Sequence, residues 1–252
     1  MKATKTSMTD PATERQLKLL EKEDWRFHAI GPGGTGLMML ATTERRSKLS
    51  KQVLSFGLPS APALYLSLAI DARDRRKKID VSAVFVEHPK PQGIYLDEHE
   101  ALFDFFQEFS AEVIFSFTAL EAFANEMIPT NFTYDWTNGK KATITLSASE
   151  IERQVSLDEK LKVVLPRAHG ISSPAGTKPW EQFKSLKRVR DRLVHLKSID
   201  RKSSGPEHQT IWGLMISEKD GDFASAAYSV ISAYPSLVKD RRWHRLAGEL
   251  VK

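Results

Sequence analysis

Apolar and polar positions change their spacing along this chain near residue 97. From Asp97 to Pro129 the run "DEHEALFDFFQEFSAEVIFSFTALEAFANEMIP" is helical in period and apolar on most sides between Val113 and Ile128. A surface helix keeps one polar face, so this pattern predicts a central helix covered by others. Glu121 and Asn125 lie four apart within it, share a face, and need partners if buried. Beyond it, "NFTYDWTNGKKATITL" predicts a hairpin turning at Asn138-Gly139. "SASEIERQVSLDEKLKVVLP" predicts one or two helices ended by Pro166, and "GISSPAGTKPW" a loop. A basic amphipathic helix follows in "WEQFKSLKRVRDRLVHLKSID", then a breaker-rich "RKSSGPEH", a short strand "IWGLMIS", and a last helix in "DFASAAYSVISAYPSLVKD".

The N-terminal third is patterned differently. Its first dozen residues form a polar tail, and "ATERQLKLLEKEDWRF" predicts a short charged helix. "GPGGTG" (Gly31 to Gly36) lacks the Lys-Ser/Thr of a phosphate loop and follows a poor core strand, so it is read as a plain turn. Val53 to Ile70 is uncharged and precedes the basic "DARDRRKK", but Gly57, Pro59 and Pro62 divide it. Pieces of strand or helix bordering a loop fit better than a membrane span. "VSAVFV" predicts a strand and "EHPKPQG" a linker. The expected architecture is therefore mainly α: a helical bundle with short β elements over residues 93–252, after an N-terminal mixed α/β region at 1–92. No internal repeat is visible.

Composition narrows the function classes. At 252 residues, 41% hydrophobic and 27% charged, the chain can bury a full core. It has no cysteine, which removes disulfides and thiolate metal sites, and its start has no apolar signal core; a cytoplasmic location is expected. The histidines at 28, 88, 99, 169, 208 and 244 show no metal-ligand spacing, so neither a metal nor a cofactor is expected. Residues 178–202 carry nine Lys/Arg against three Asp/Glu, a surplus of six in a chain whose formal net charge is +5. Such clustering favours a polyanion such as RNA, although a solvated helix face carries similar charge.

Within that segment Leu186, Val189, Leu193 and Leu196 fall on one helical arc, with Phe183 and Val194 at its shoulder. Arg190 falls inside the shoulder. A guanidinium drawn toward an apolar face needs a carboxylate or a bound phosphate, and Glu121 on the central helix is the obvious acid. Lys184, Arg188, Asp191, Arg192 and His195 occupy the opposite arc. Asp191 stands four before His195, where a carboxylate can hold one ring nitrogen and leave the other to accept a proton. Imidazole as proton acceptor and guanidinium on phosphate oxygens together suit phosphodiester chemistry.

"RDRLVH", Arg190 to His195, resembles the Arg-polar-x3-His motif of the HEPN superfamily, the higher eukaryote and prokaryote nucleotide-binding domains. "FSFTALEAFANEMIP" is similar to the long first helix of several HEPN groups, and "LDEKLKVVLP" before the motif helix resembles their order. The likeness covers roughly Asp97 to Lys239. It implies a metal-independent endoribonuclease acting on single-stranded RNA, with two subunits joining their motifs at a homodimer interface. His195 would be the acid/base residue, Arg190 the phosphate binder and Asp191 the polar residue that orients them. Lys184, Lys187, Arg188, Arg192 and Lys197 would hold substrate. Family members act as bacterial toxins or phage-defence effectors, which implies an antitoxin or regulatory protein as a further partner. Two departures stand out: many active members have Asn where Asp191 stands, and Lys197 replaces the tyrosine of members paired with nucleotidyltransferase antitoxins. A binding module without chemistry and a helical scaffold, in which Arg190 only bridges helices, remain alternative readings.

Overall fold

The computed structural model describes residues 24–30, 37–38, 40–46, 51–81, 96–137, 142–202 and 209–251, and in them the chain is mainly helical with short antiparallel strand pairs. β1 (Ala29–Ile30) pairs with β2 (Leu37–Met38), and β3 (Leu40–Arg46) with β4 (Lys51–Gly57). The uncharged stretch from Val53 divides where its breakers predict. β4 stops at Gly57, and helix α1 (Ala61–Arg76) starts after Ser60 with Pro62 in its first turn, where a missing N–H has no helical acceptor to lose. Among the described residues no helix is long and apolar enough to cross a membrane. The "GPGGTG" turn, "VSAVFV" beyond Val81 and the "EHPKPQG" linker lie outside the described residues, as does most of the charged N-terminal helix.

Helix α2 (Leu96–Glu126) is the predicted central helix. Phe109, Val113, Leu120, Phe123 and Ala124 are sealed from solvent on it, under α1 and under helices from the C-terminal half. α1 precedes the expected boundary, yet it contributes Ala63, Leu66, Ala69 and Ile70 to the same core as α2. One buried ion pair joins these layers. Arg76 Nε donates to Glu112 at 2.8 Å, and the other Glu112 oxygen accepts the Phe223 and Ala224 amides that open α8 (Phe223–Ser232). A carboxylate meeting a helix start satisfies orphan donors that would otherwise be buried unpaired.

The hairpin forms as expected, β5 (Thr133–Thr137) against β6 (Thr143–Ser147), with Asn138-Gly139 outside the described residues. A capping box at Ser147 and Glu150 opens α3 (Ala148–Gln154). Pro166 does not end the next helix. α4 (Leu157–Glu159) runs through a π turn (Lys160–Val164) into α5 (Leu165–His169), which contains Pro166 and stops at Gly170 in the left-handed region. The wider turn admits the proline ring, and the Lys162 carbonyl that Pro166 would have served accepts the Ser173 hydroxyl at 2.8 Å.

Helix α6 (Lys178–Val194) carries the basic segment and buries Phe183, Leu186 and Val189. It ends one residue before His195, so Leu196 leaves the predicted apolar arc and is exposed. A 3₁₀ turn (Ser198–Arg201) follows. "IWGLMIS" is helix α7 (Ile211–Ser217), not a strand, with the Thr210 hydroxyl accepting the Gly213 amide as its cap. The single helix expected over 222–240 is two, α8 and α9 (Pro235–Val238), parted where Pro235 begins a new helix, and α10 (Arg242–Leu250) follows beyond it. Trp243 of α10 is fully buried in the core.

Candidate functional site

The end of α6 turns its side chains to two different sides. On the side of α2, the Arg190 guanidinium lies 4.1 Å over the centre of the Phe117 ring and 3.5 Å from the Glu121 carboxylate. Its other amino group donates to Asp191 at 2.9 Å. The side chain is 26% exposed, so it is held without being sealed. Glu121 is the acid the sequence picks, whereas Asn125, one turn on, serves another cation. Asn125 accepts from the buried Lys160 at 2.9 Å, and Lys160 also donates to the Glu152 carbonyl. Burial pushes the Lys160 ammonium below its usual range, while Glu121 and Glu152 pull it back up in part.

On the side of α7, His195 lines an open groove of about 490 Å³ together with Arg188, Asp191, Arg192, Lys197 and Leu214. His195 is the C-cap of α6, its amide donating to the Asp191 carbonyl at 3.0 Å. Its exposed ring makes no hydrogen bond or ion pair among the described residues, and the expected grip of the Asp191 carboxylate on it is not made. That carboxylate is taken by Lys187 at 2.8 Å and by Arg190. Burial pushes the Asp191 carboxyl up, and these two cations more than offset it, leaving it below its ordinary value. Asp191 thus does contact Arg190 directly, and the arginine reaches the groove's edge only through it.

The five cations expected on substrate differ in how freely they can meet one. Lys184 pairs with Glu181 across one exposed turn, Lys187 with Asp191, and Arg188 with Glu218 from α7. Exposed pairs of this kind are worth about 0–1 kcal/mol, so a phosphate can replace the acid. Lys197 has no side-chain partner among the described residues. Arg192 is different: it lines the groove but is already anchored within the fold. It grips Asp200 through both amino groups, and the Asp200 side chain is 1% exposed. The same carboxylate accepts the Lys197 amide at 2.6 Å and the Ile211 amide at 2.8 Å. The Arg192 bonds, against burial and helped by both amides, hold the Asp200 carboxyl far below its ordinary value.

Asp200 and the α7 wall are what sequence reading missed. The signal for Asp200 was local: an acid three residues after Lys197, where a short turn presents an amide. The signal for α7 was Thr210 followed three residues later by Gly213, a cap followed by its donor. Among the described residues no cluster of His, Asp and Glu forms a metal site. No family model matches the chain, and neither a curated protein nor a solved structure matches it.

Proposed function

We propose that this chain is a HEPN-type, metal-independent endoribonuclease that cuts single-stranded RNA at a site completed by two subunits. The observation that carries the reading is His195: an imidazole without a hydrogen-bond or ion-pair partner among the described residues, at a helix end, in an open groove walled by arginine and lysine. On one helix, residues five apart point about 140° away from each other. Arg190 accordingly faces Phe117 and Glu121 while His195 faces the groove, and a twofold pairing of α6 helices brings one subunit's arginine toward the other's histidine.

In this mechanism His195 takes the proton of a ribose 2'-hydroxyl, whose oxygen attacks the adjacent phosphorus. The P–O5' bond breaks, the leaving oxygen takes a proton from solvent while His195 gives its own back to solvent, and the products carry a 2',3'-cyclic phosphate and a 5'-hydroxyl. Arg190 of the second subunit neutralises the charge that builds on the phosphorane oxygens. Asp191 orients that guanidinium. The groove cations Arg188 and Lys197 hold flanking phosphates. A toxin or defence role, and control by an antitoxin or regulatory protein, follow from the HEPN likeness.

The test is digestion of single-stranded RNA in EDTA with end-group analysis, beside His195→Ala and Arg190→Ala. Cyclic phosphate ends that vanish in both variants support the reading, and RNA left intact at high protein excess rejects it. A second reading has an observation of its own. The contacts of Arg190 with Phe117 and Glu121 are those of a packing bridge in a helical scaffold, and salt-insensitive failure to bind RNA would favour it.

A further inference from the structure

Helix α7 is walled by recesses on both sides. Thr210 and Leu214 line the basic groove, while Trp212, about 200° round the same helix, lines a second recess of about 590 Å³ against α2. A row of rings runs along α2 into its floor, which Phe103, Phe106 and Trp212 form. His99 lies 4.3 Å from Phe103, Phe103 6.3 Å from Phe106, and Phe106 5.3 Å from Trp212, centre to centre. Phe103 and Trp212 are 57% and 43% exposed, unusual for residues of this size on a folded surface.

Two details favour a planar ligand over a generic apolar one. The Trp212 indole N–H is already used, donating to the Asp200 carbonyl at 3.1 Å, so the ring is fixed in orientation and offers only its face. The polar rim consists of Asp104, Gln107 and Ser110, and among the described residues no cation lines the recess. Ser110 donates its hydroxyl to the Phe106 carbonyl, and the Asp104 carboxylate is the charged acceptor on the rim, beside the amide oxygen of Gln107. Such a lining repels phosphate and suits a flat, uncharged group carrying N–H donors.

We propose that this recess is a base-stacking subsite for single-stranded RNA and that it prefers guanine; the proposal rests on RNA being the ligand of the neighbouring groove. Guanine presents N1–H and N2–H side by side, a geometry that one carboxylate accepts with both oxygens, whereas adenine, cytosine and uracil present a single such edge group beside acceptors. The base stacks on Phe103 and Trp212, Asp104 reads its donor edge, and its phosphates pass to the cationic side of α7.

The experiment measures binding of short 2'-O-methyl oligoribonucleotides, which cannot form the cyclic phosphate, to the full chain by fluorescence anisotropy. Each oligomer carries guanosine, inosine or adenosine at one position. The expected result is tightest binding for guanosine, an intermediate value for inosine, and a loss of about tenfold for Phe103→Ala, the scale of one stacked base. Asp104→Asn is expected to abolish the guanosine preference while the salt dependence set by the groove stays unchanged. Trp212→Phe keeps a ring and the fold, and is expected to retain most of the affinity. Unaltered affinity and base preference in Phe103→Ala and Asp104→Asn would overturn the proposal, as would a change of oligomeric state in these variants, which would make the recess a subunit contact. Failure of the ribonuclease chemistry reads out separately, as normal guanosine preference with no cleavage of ordinary RNA. Absence of any RNA binding overturns both.

Discussion

The Arg190 guanidinium carbon lies 4.1 Å from the centre of the Phe117 ring, and Phe117 stands one helical turn along α2 from the acid that Arg190 pairs with, Glu121. A cation at a partly exposed ring gains about 0.5–1 kcal/mol, and a pair this open adds less than 1. Arg190→Ala is therefore expected to cost about 1 kcal/mol in urea unfolding and at least a hundredfold in RNA cleavage. A stability loss above about 3 kcal/mol, with cleavage falling only as the folded fraction falls, would assign Arg190 to packing.

His195→Ala removes an exposed ring with no partner among the described residues, so stability should stay within about 0.5 kcal/mol while cleavage falls 10²- to 10⁴-fold, on the order expected for a lost acid/base group. Mixing the Arg190→Ala and His195→Ala proteins tests the shared site directly. Random pairing leaves one intact site in half the dimers, so about one quarter of wild-type cleavage should return. No recovery after subunit exchange would place both residues in one chain's site.

RNA affinity should fall steeply with salt, because phosphate neutralisation releases counterions. Lys197→Ala is expected to lower the slope of log affinity against log salt by about one, since among the described residues its ammonium is not committed to an acid. Arg192 cannot be tested this way, being bound to Asp200.

Asp200→Asn breaks a buried pair and leaves Arg192 uncompensated, an expected loss of about 3 kcal/mol by chemical denaturation. The sign of its pH dependence is fixed by the depressed carboxyl. Its stabilisation is complete above the ordinary carboxylate range and is lost only as pH falls below it, so the wild-type contribution should not change between pH 5 and 8.

His244 supplies the opposite window. It stacks on Tyr228 at 4.8 Å, shares a 2.8 Å hydrogen bond with Ser232, and burial lowers its pKa from 6.5 to about 4. The unfolded chain therefore takes the proton first as pH falls, and stability is expected to decline by up to about 1.4 kcal/mol per pH unit for this group below pH 6.5. His28, lowered by burial and then by Arg241, adds to the decline; Glu112 and Glu126, raised by burial, oppose it near their own range. His244→Phe keeps the stack and should flatten the dependence measured by urea midpoints from pH 7.5 to 5.

What was legible in the sequence was what periodicity alone determines. α2 and α6 are long enough for a hydrophobic stripe to define them, and the Arg190 to Glu121 pairing follows from two helices whose faces were already fixed. Short elements were misread for a physical reason. "IWGLMIS" is seven apolar-rich residues, a length at which strand and helix periods look alike, so its cap at Thr210 was the only discriminating signal. Pro166 was read as a stop because the rule assumes α geometry, and a π turn relaxes it. The partners of Lys187, Arg188 and Arg192 depend on where side chains meet across turns, which no charge count reveals; a surplus of six was visible, and its internal neutralisation was not.

A wall one helix thick separates the two recesses flanking α7, and a helix with its side chains is about 10–12 Å across. A polymer touching both must bend sharply around that wall within two or three nucleotides. Duplexes resist such curvature, being stiff over tens of base pairs, whereas an unpaired strand turns there at small elastic cost. If one RNA strand occupies both recesses, as proposed, the width of α7 filters for strandedness, set by the backbone before any side chain reads a base.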